Sequence, residues 1–367
     1  MRIQLVDPSA YTPPYDHALA AALARAGADV ELITSRFLYG PVPRADGYRV
    51  NELFYRRSAG RGREARGRIA LKLAEHVPDM LRLRRAAASA DVVHLQWLTV
   101  QPLDAFLLPP RPRVLTAHDI LPREPRLGQL RATRRLARAM DAVVSHSEHG
   151  AARLRDELGV EPDRVRVIPH GAFDYLTRLP EERPLPEELA AVERPVVLFF
   201  GLVRPYKGVD VLLDAWRAVD ADAELWIVGM PRMDLEPLRR AADARVRFVP
   251  RFVPDPEIPA YFRRAEVVVL PYREADQSGV LYTALAFGKA ILLSDVGGFP
   301  EVVAARHVTA GDPAALSSAL AELLSNESER RQLGEAALEL AAGAYSWDRV
   351  AGQTLALYRD LLGESSI

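Results

Sequence analysis

Arg204 and Lys207 follow directly on the apolar run VVLFFG, which ends at Gly201. Arginine offers a planar fork of donors and lysine a mobile point charge, a combination suited to a multiply charged diphosphate. A helical pattern starts near Gly208. The two cations therefore stand just ahead of a helix N-terminus, where unpaired N–H groups and the helix dipole favour an anion. The competing reading is a pair of solvated loop cations.

A second stretch of the same kind is YREADQSGVLYTALAFGKAILLSDVGGFPEVV, residues 272–303. A buried-looking strand ends at Pro271, and a helix is expected from Gly279 with Ser278 as its N-cap. The N–H groups of Gly279 and Val280 would point at a bound anion, and glycine lets the backbone come close. Glu274 and Asp276 would repel a phosphate. They fit either as acceptors for sugar hydroxyls or as acids at a helix start. Lys289 reads as a cation at the end of that helix.

His94, His118, His146, His149 and His170 fall at or near strand ends in the first half. No two have metal-ligand spacing on one helix, and SHSEHG reads as a strand end with Ser147 capping the next helix. No metal is expected. The acidic run 220–222 sits between a helix and the strand ELWIVG, so it reads as a solvated turn. Trp97, at the end of DVVHLQ, is a candidate for stacking on an acceptor, and Gln96 beside it for binding a hydroxyl.

The elements that must hold these residues alternate. Strands are expected at 2–7, 29–34, 49–55, 91–97, 113–118, 142–146 and 165–170, and again at 195–201, 223–229, 246–249, 266–271 and 290–294. Helical patterns lie between most of them. Runs that are apolar without alternation suit parallel strands covered on both faces. Two such series predict an α/β protein of two doubly wound, Rossmann-like halves facing across a cleft. The boundaries expected are 1–178 and 179–347, with 176–195, rich in proline and charge, as a linker holding a short helix. A last helix, 348–364, is expected to return to the first half.

The chain has 367 residues and no cysteine, which excludes disulfides, thiolate nucleophiles and cysteine-based zinc sites. No window is apolar enough to span a bilayer. The opening MRIQLVDPSAY lacks a signal-peptide pattern, which points to the cytoplasm. The net charge of −1 hides an asymmetry: residues 1–175 carry 27 Lys+Arg against 20 Asp+Glu. The arginine-rich 56–68 reads either as a mobile surface loop or, with 68–85 and 123–138, as a peripheral contact for an anionic membrane.

GLVRPYKGVDVLLDAW, ELWIVGM, VRFVPRFVPDPEIPAYFRRAEVVVLPY and SGVLYTALAFGKAILLSDVGGFPEVV occur in the order seen in glycosyltransferase family 4. DVVHLQWL, VLTAHDILP, AVVSHSEHGAARLRDELGV and RVRVIPHGAFD resemble the strands of that family's acceptor domain. The resemblance covers nearly the whole chain. It implies the GT-B fold and a retaining, metal-independent transfer of a hexose from a UDP- or GDP-sugar co-substrate, with no other cofactor. The acceptor implied is a saccharide, lipid or small-molecule hydroxyl, and no nucleic acid is involved.

By the same resemblance, Arg204 and Lys207, beyond Gly201, bind the diphosphate. The Gln277–Ser278–Gly279–Val280 loop holds the distal phosphate and sugar. His118 lies against the transferred sugar, Arg251–Phe252–Val253 edges the nucleobase, and the loop from Asp7 through Ser9 to Tyr11 approaches phosphate and acceptor. Two departures stand out. Thr283 occupies the place of a family glutamate that binds ribose, and the register leaves either Glu274 or Asp276 as the sugar-binding acid. The first loop, DPSAYTPPYDHA, lacks the family's glycines. A catalytically silent nucleotide-binding partner and a sugar-nucleotide epimerase on the same fold remain the alternatives.

Overall fold

The computed structural model describes residues 1–61, 67–110, 112–122, 125 and 127–364. The chain forms two compact units. The first comprises Met1–Gly171 with the last helix, Trp347–Leu362, and the second comprises Ala172–Ser346.

In the first unit, β1 (Arg2–Asp7), β2 (Asp29–Ser35), β3 (Arg49–Phe54), β4 (Val92–Leu95), β5 (Arg113–Thr116), β6 (Ala142–Ser145) and β7 (Val165–Val167) form one parallel sheet. Their order is β3-β2-β1-β4-β5-β6-β7. Val6, Leu95, Val143 and Leu154 are fully buried in its core, each contributing about 1.5–3 kcal/mol in transfer from water. The last helix packs on Pro13–Arg25. Its buried Tyr358 hydroxyl lies 2.5 Å from His94 Nδ1. The exposed Arg25–Asp348 pair at 2.7 Å adds little to this packing.

The second unit holds β8 (Val196–Phe200), β9 (Glu224–Val228), β10 (Val246–Val249), β11 (Val267–Leu270), β12 (Ala290–Ser294) and β13 (Arg306–Val308). They too are parallel, in the order β10-β9-β8-β11-β12-β13. The three-residue β13 is too short, and too polar in RHV, to announce itself in the sequence.

Three expectations change. The first unit ends at Gly171, not at 178. The 176–195 stretch is not a linker but part of the second unit. Leu176 and Leu189 are buried, the Arg183 N–H donates to the Pro256 carbonyl at 2.7 Å, and the neighbouring Tyr175 hydroxyl donates to Asp255 at 2.7 Å. Proline and charge marked only the solvated face of this segment, and the inward leucines decide where it belongs. The arginine-rich stretch starts as a helical turn, Arg56–Gly60. Glu75 holds that turn by accepting from the Arg57 and Ser58 N–H groups at 2.8 and 2.9 Å. Residues 62–66, 123, 124 and 126 of the basic stretches lie outside the described residues.

Candidate active site

In open parallel sheets, the loops diverge at the carboxyl ends of the two strands where the order reverses, and a ligand can enter there. The second unit reverses between β8 and β11. The loop after β8 carries Arg204 and Lys207, and the loop after β11 carries Tyr272 to Ser278. Lys207 is buried and its Nζ donates to the Tyr272 hydroxyl at 2.6 Å. The same Nζ lies 4.4 Å from the Tyr272 ring centre. Tyr272 in turn pairs with Ser278 Oγ at 3.1 Å. A three-residue turn, Pro205–Lys207, aims the lysine. That turn is held by Arg273, which donates to the Pro205 carbonyl at 3.0 Å and forks onto Asp210 at 2.7 and 2.6 Å.

Gly208 takes φ +67°, and a Cβ there would lie 1.9 Å from the Pro271 carbonyl oxygen. Only glycine lets the turn pass so close to the end of β11. A Cβ on Gly201 would sit 3.2 Å from Val280 and 3.6 Å from Lys207 Nζ. The strand end, the lysine and the start of helix Gly279–Ala286 therefore converge. Arg204 is half-buried, and among the described residues its Nε is buried without a hydrogen-bond partner. A buried ammonium beside a helix N-terminus, with an orphaned guanidinium N–H three residues earlier on the same loop, is a donor set that fits an oxyanion.

Other expected donor residues are placed differently. Ser278 stands at the N-cap position, yet its hydroxyl goes to Tyr272 and makes no cap bond. Gln277 is held by the Tyr282 hydroxyl at 2.6 Å. Thr283 donates its hydroxyl to the Gly279 carbonyl at 3.0 Å, inside its own helix. Of the two acids in ambiguous register, Asp276 is buried and Glu274 exposed. Arg251 pairs with Glu257 at 2.5 Å in the loop after the edge strand β10, with Phe252 half-buried and Val253 buried beside it.

The first unit reverses between β1 and β4. Asp7, at the end of β1, is fully buried. It accepts from the N–H groups of Ser9, Tyr11 and Thr12 at 3.1, 2.5 and 3.1 Å. The glycine-free loop thus wraps a carboxylate, and Ala10 takes the left-handed conformation at φ +48°. Burial pushes the Asp7 carboxyl up. Burial and the Asp7 charge push Asp16 well above the usual carboxylate range.

Ser9 Oγ accepts from Lys72 at 2.9 Å and pairs with Thr99 at 2.8 Å. Trp97 donates its indole N–H to Thr12 at 2.9 Å and stacks on His118, ring centres 5.2 Å apart at 14°. Tyr11, exposed, meets the Trp97 ring edge-on at 5.3 Å. His118 Nε2 lies 3.2 Å from the Gln96 amide, and its Nδ1 lies 3.4 Å from His146. Burial drives His118 and His170 well below the ordinary imidazole value and His146 to about 4. These rings are neutral near pH 7. Among the described residues, no three His, Asp or Glu side chains gather as metal ligands.

The structure thus joins Gly201 and Lys207 to Ser278, Gly279 and Val280, keeps Arg204 on the same loop as Lys207, and joins Ser9, Tyr11, Gln96, Trp97 and His118 to one another. Arg251 and Thr283 are spent on local bonds. Sequence reasoning passed over Tyr272, Arg273, Asp16 and Lys72, and weighed His146 only as a metal ligand. Tyr272 alone carried a signal, since it follows directly on the apolar strand that Pro271 ends.

Comparison with known proteins adds independent findings. Residues 15–172 match the family described as Glycosyltransferase Family 4, and residues 194–326 match Glycosyl transferases group 1. The alpha-maltose-1-phosphate synthase of Mycolicibacterium smegmatis is 32% identical over 76% of this chain and 81% of its own. The GDP-mannose:glycolipid 4-beta-D-mannosyltransferase of Xanthomonas campestris is 32% identical over 59% of this chain and 64% of its own length. Among solved structures, the sucrose-phosphate synthase of Thermosynechococcus elongatus superimposes with TM-score 0.76 at 21% identity, covering all of both chains. Anabaena HepE, solved with UDP and glucose, does so with TM-score 0.74 at 17% identity over 98% of this chain and all of its own.

Proposed function

The chain belongs to glycosyltransferase family 4, with the GT-B fold, and from that membership we propose that it moves a hexose from a UDP- or GDP-sugar to a hydroxyl acceptor. The observation that carries this reading is the buried Lys207, with the orphaned Arg204 N–H on the same loop, at the β8–β11 reversal. There the two cations bind the donor diphosphate and stabilise the negative charge that grows on it as the glycosidic bond breaks. Tyr272 and Arg273 keep the lysine and its turn in place, so little reorganisation is needed at the moment of reaction. The acceptor is recognised by the first unit, through Ser9, Tyr11, Gln96 and Trp97, and His118 lies against the transferred sugar.

No carboxylate or histidine among these groups is placed and charged as a strong general base: Glu274 is exposed, and His118 is held by Gln96 and His146. The departing phosphate then takes the acceptor proton on the same face, which retains the anomeric configuration. The two cations supply the charge that a metal would otherwise bring. Both donor nucleotides are put forward, because one relative is named for GDP-mannose and one neighbour was solved with UDP.

Thermal shift against UDP, GDP and ADP tests the reading first, since a ligand at 100 times its Kd adds about 2.7 kcal/mol to the unit that binds it. Nucleoside diphosphate release from a donor panel, with EDTA present and the product anomer read by NMR, tests the rest. Tight nucleotide binding with no release would make the chain a silent partner. An isomerised donor without acceptor would make it an epimerase. Absence of any nucleotide binding would sink all three.

The membrane contact belongs to the same proposal. Thirteen large apolar side chains stand exposed among the described residues, and eight fall between 69 and 130. Ile69, Leu73, Val77 and Leu81 form one stripe along helix Arg68–Ala86. That helix touches Gln101–Leu107, which touches Gln129–Arg138. A groove of about 540 Å³ between them is lined by Arg84, Arg113 and Arg135, and Arg135 covers the exposed Phe106 ring at 4.3 Å. Apolar ridges rimmed by arginine suit an anionic bilayer at the inner membrane face. A second copy would instead set arginine against arginine. Flotation with phosphatidylglycerol vesicles at low salt is expected. It should be lost with phosphatidylcholine, at about 0.5 M salt, and in the Leu73→Ser, Leu81→Ser double variant. Absence of flotation removes the membrane and leaves the transferase reading untouched.

A further inference from the structure

We propose that His146 is a positioning residue that holds His118 as its Nδ1–H tautomer, so that His118 offers its ligand a lone pair at Nε2 rather than a proton. The chain of reasoning starts at a backbone carbonyl. Ile168 O lies 2.9 Å from His146 Nδ1, and a carbonyl only accepts, so that nitrogen carries the hydrogen. His146 is buried, and its neutral ring then has a lone pair at Nε2. That lone pair faces His118 Nδ1 at 3.4 Å, so the hydrogen between them must come from His118.

His118 Nε2 is thereby an acceptor, and it lies 3.2 Å from the Gln96 amide. Only the amide NH2 can serve it. The surrounding network decides which end of such an amide is nitrogen. Among the described residues the far end of Gln96, a side chain only 1% exposed, is buried without a partner. An oxygen there is a more tolerable orphan than an N–H donor. The opposite polarity would set two bare lone pairs, on His118 Nδ1 and His146 Nε2, against each other, or demand an imidazolium in a site that burial denies to charge. Tyr15 packs against both rings, at 4.7 and 5.4 Å between centres, and keeps them in register.

The consequence rests on the reading of His118 as a group beside the transferred sugar. A ligand hydroxyl can donate to Nε2 in place of Gln96, whereas a phosphate or carboxylate oxygen cannot. His118 then selects for hydroxyl-bearing ligands without joining in proton transfer.

Long-range ¹⁵N–¹H NMR of the full chain labelled in histidine distinguishes the tautomers directly. At pH 7.5, His118 and His146 are both expected with hydrogen on Nδ1. His146→Phe keeps an aromatic ring but removes the acceptor, and His118 is then expected to move its hydrogen to Nε2. Should that variant fail to fold, Gln96→Glu places an obligate acceptor at Nε2 and is expected to draw a hydrogen onto it. A wild-type His118 with its hydrogen on Nε2 overturns the proposal, as does a His118 that ignores the substitution. An inactive chain showing the Nδ1–H pattern would defeat the transferase reading alone, and an active chain showing Nε2–H would defeat this inference alone.

Discussion

Replacing Lys207 with alanine is expected to lower kcat about 10²–10³-fold, equivalent to about 2.7–4 kcal/mol of lost transition-state stabilisation. The diphosphate is already negative in the bound donor and gains further charge as it departs, so kcat should fall and KM should rise as well. Lys207 is buried and bonded to Tyr272, which in turn holds Ser278. Alanine therefore also removes one partner of the Tyr272 hydroxyl, and Tyr272→Phe is expected to reproduce a small part of the loss. Arg204→Ala should act on the same charge. The double variant should then fall short of the product of the two single losses. Steady-state kinetics on the four chains, with circular dichroism to confirm the fold, check this. Wild-type rates in both single variants would remove the pair from the chemistry.

Acid should destabilise the first unit through its buried histidines. Burial lowers His17 and His146 to about 4 and His94 to about 3, and holds His118 and His170 well below the ordinary imidazole value. Unfolded, each titrates near 6.5. Between that value and the folded ones the unfolded chain binds more protons, so stability falls as pH drops. Each pH unit withdraws up to about 1.4 kcal/mol per histidine. Asp7 and Asp16 work the other way. Their raised values cost stability as pH rises above 3.8, and acid returns some of it.

Five histidines against three carboxyls, Asp79 being raised by burial as well, leave a net loss of several kcal/mol by pH 5, and a fall in Tm of about 10 °C or more from pH 7. Hydrogen exchange should place the loss in Met1–Gly171 and the last helix. His94→Gln should reduce the slope, because it removes one titrating group of the set. A melting curve indifferent to pH between 7 and 5 would contradict the burial of these rings.

How much of this was legible beforehand differs from element to element. The apolar runs of β8 and β11 and the cations at 204 and 207 are local signals. Periodicity states which faces are covered, and charge beside a strand end states where an anion can be met. The family's order of motifs was equally visible along the chain.

The sequence by itself therefore determined two βα series, most strand positions and a cationic loop after Gly201. Only the tertiary structure decided that β8 lies beside β11, which brings Tyr272 to Lys207 across 65 residues of chain. It alone chose burial for Asp276 over Glu274, gave 176–195 to the second unit, returned the last helix to the first, and lined up Ile168, His146, His118 and Gln96. The reason is physical. A residue's pattern reports that it will be buried, but the partner that buries it is chosen by the summed packing of elements far apart in the chain.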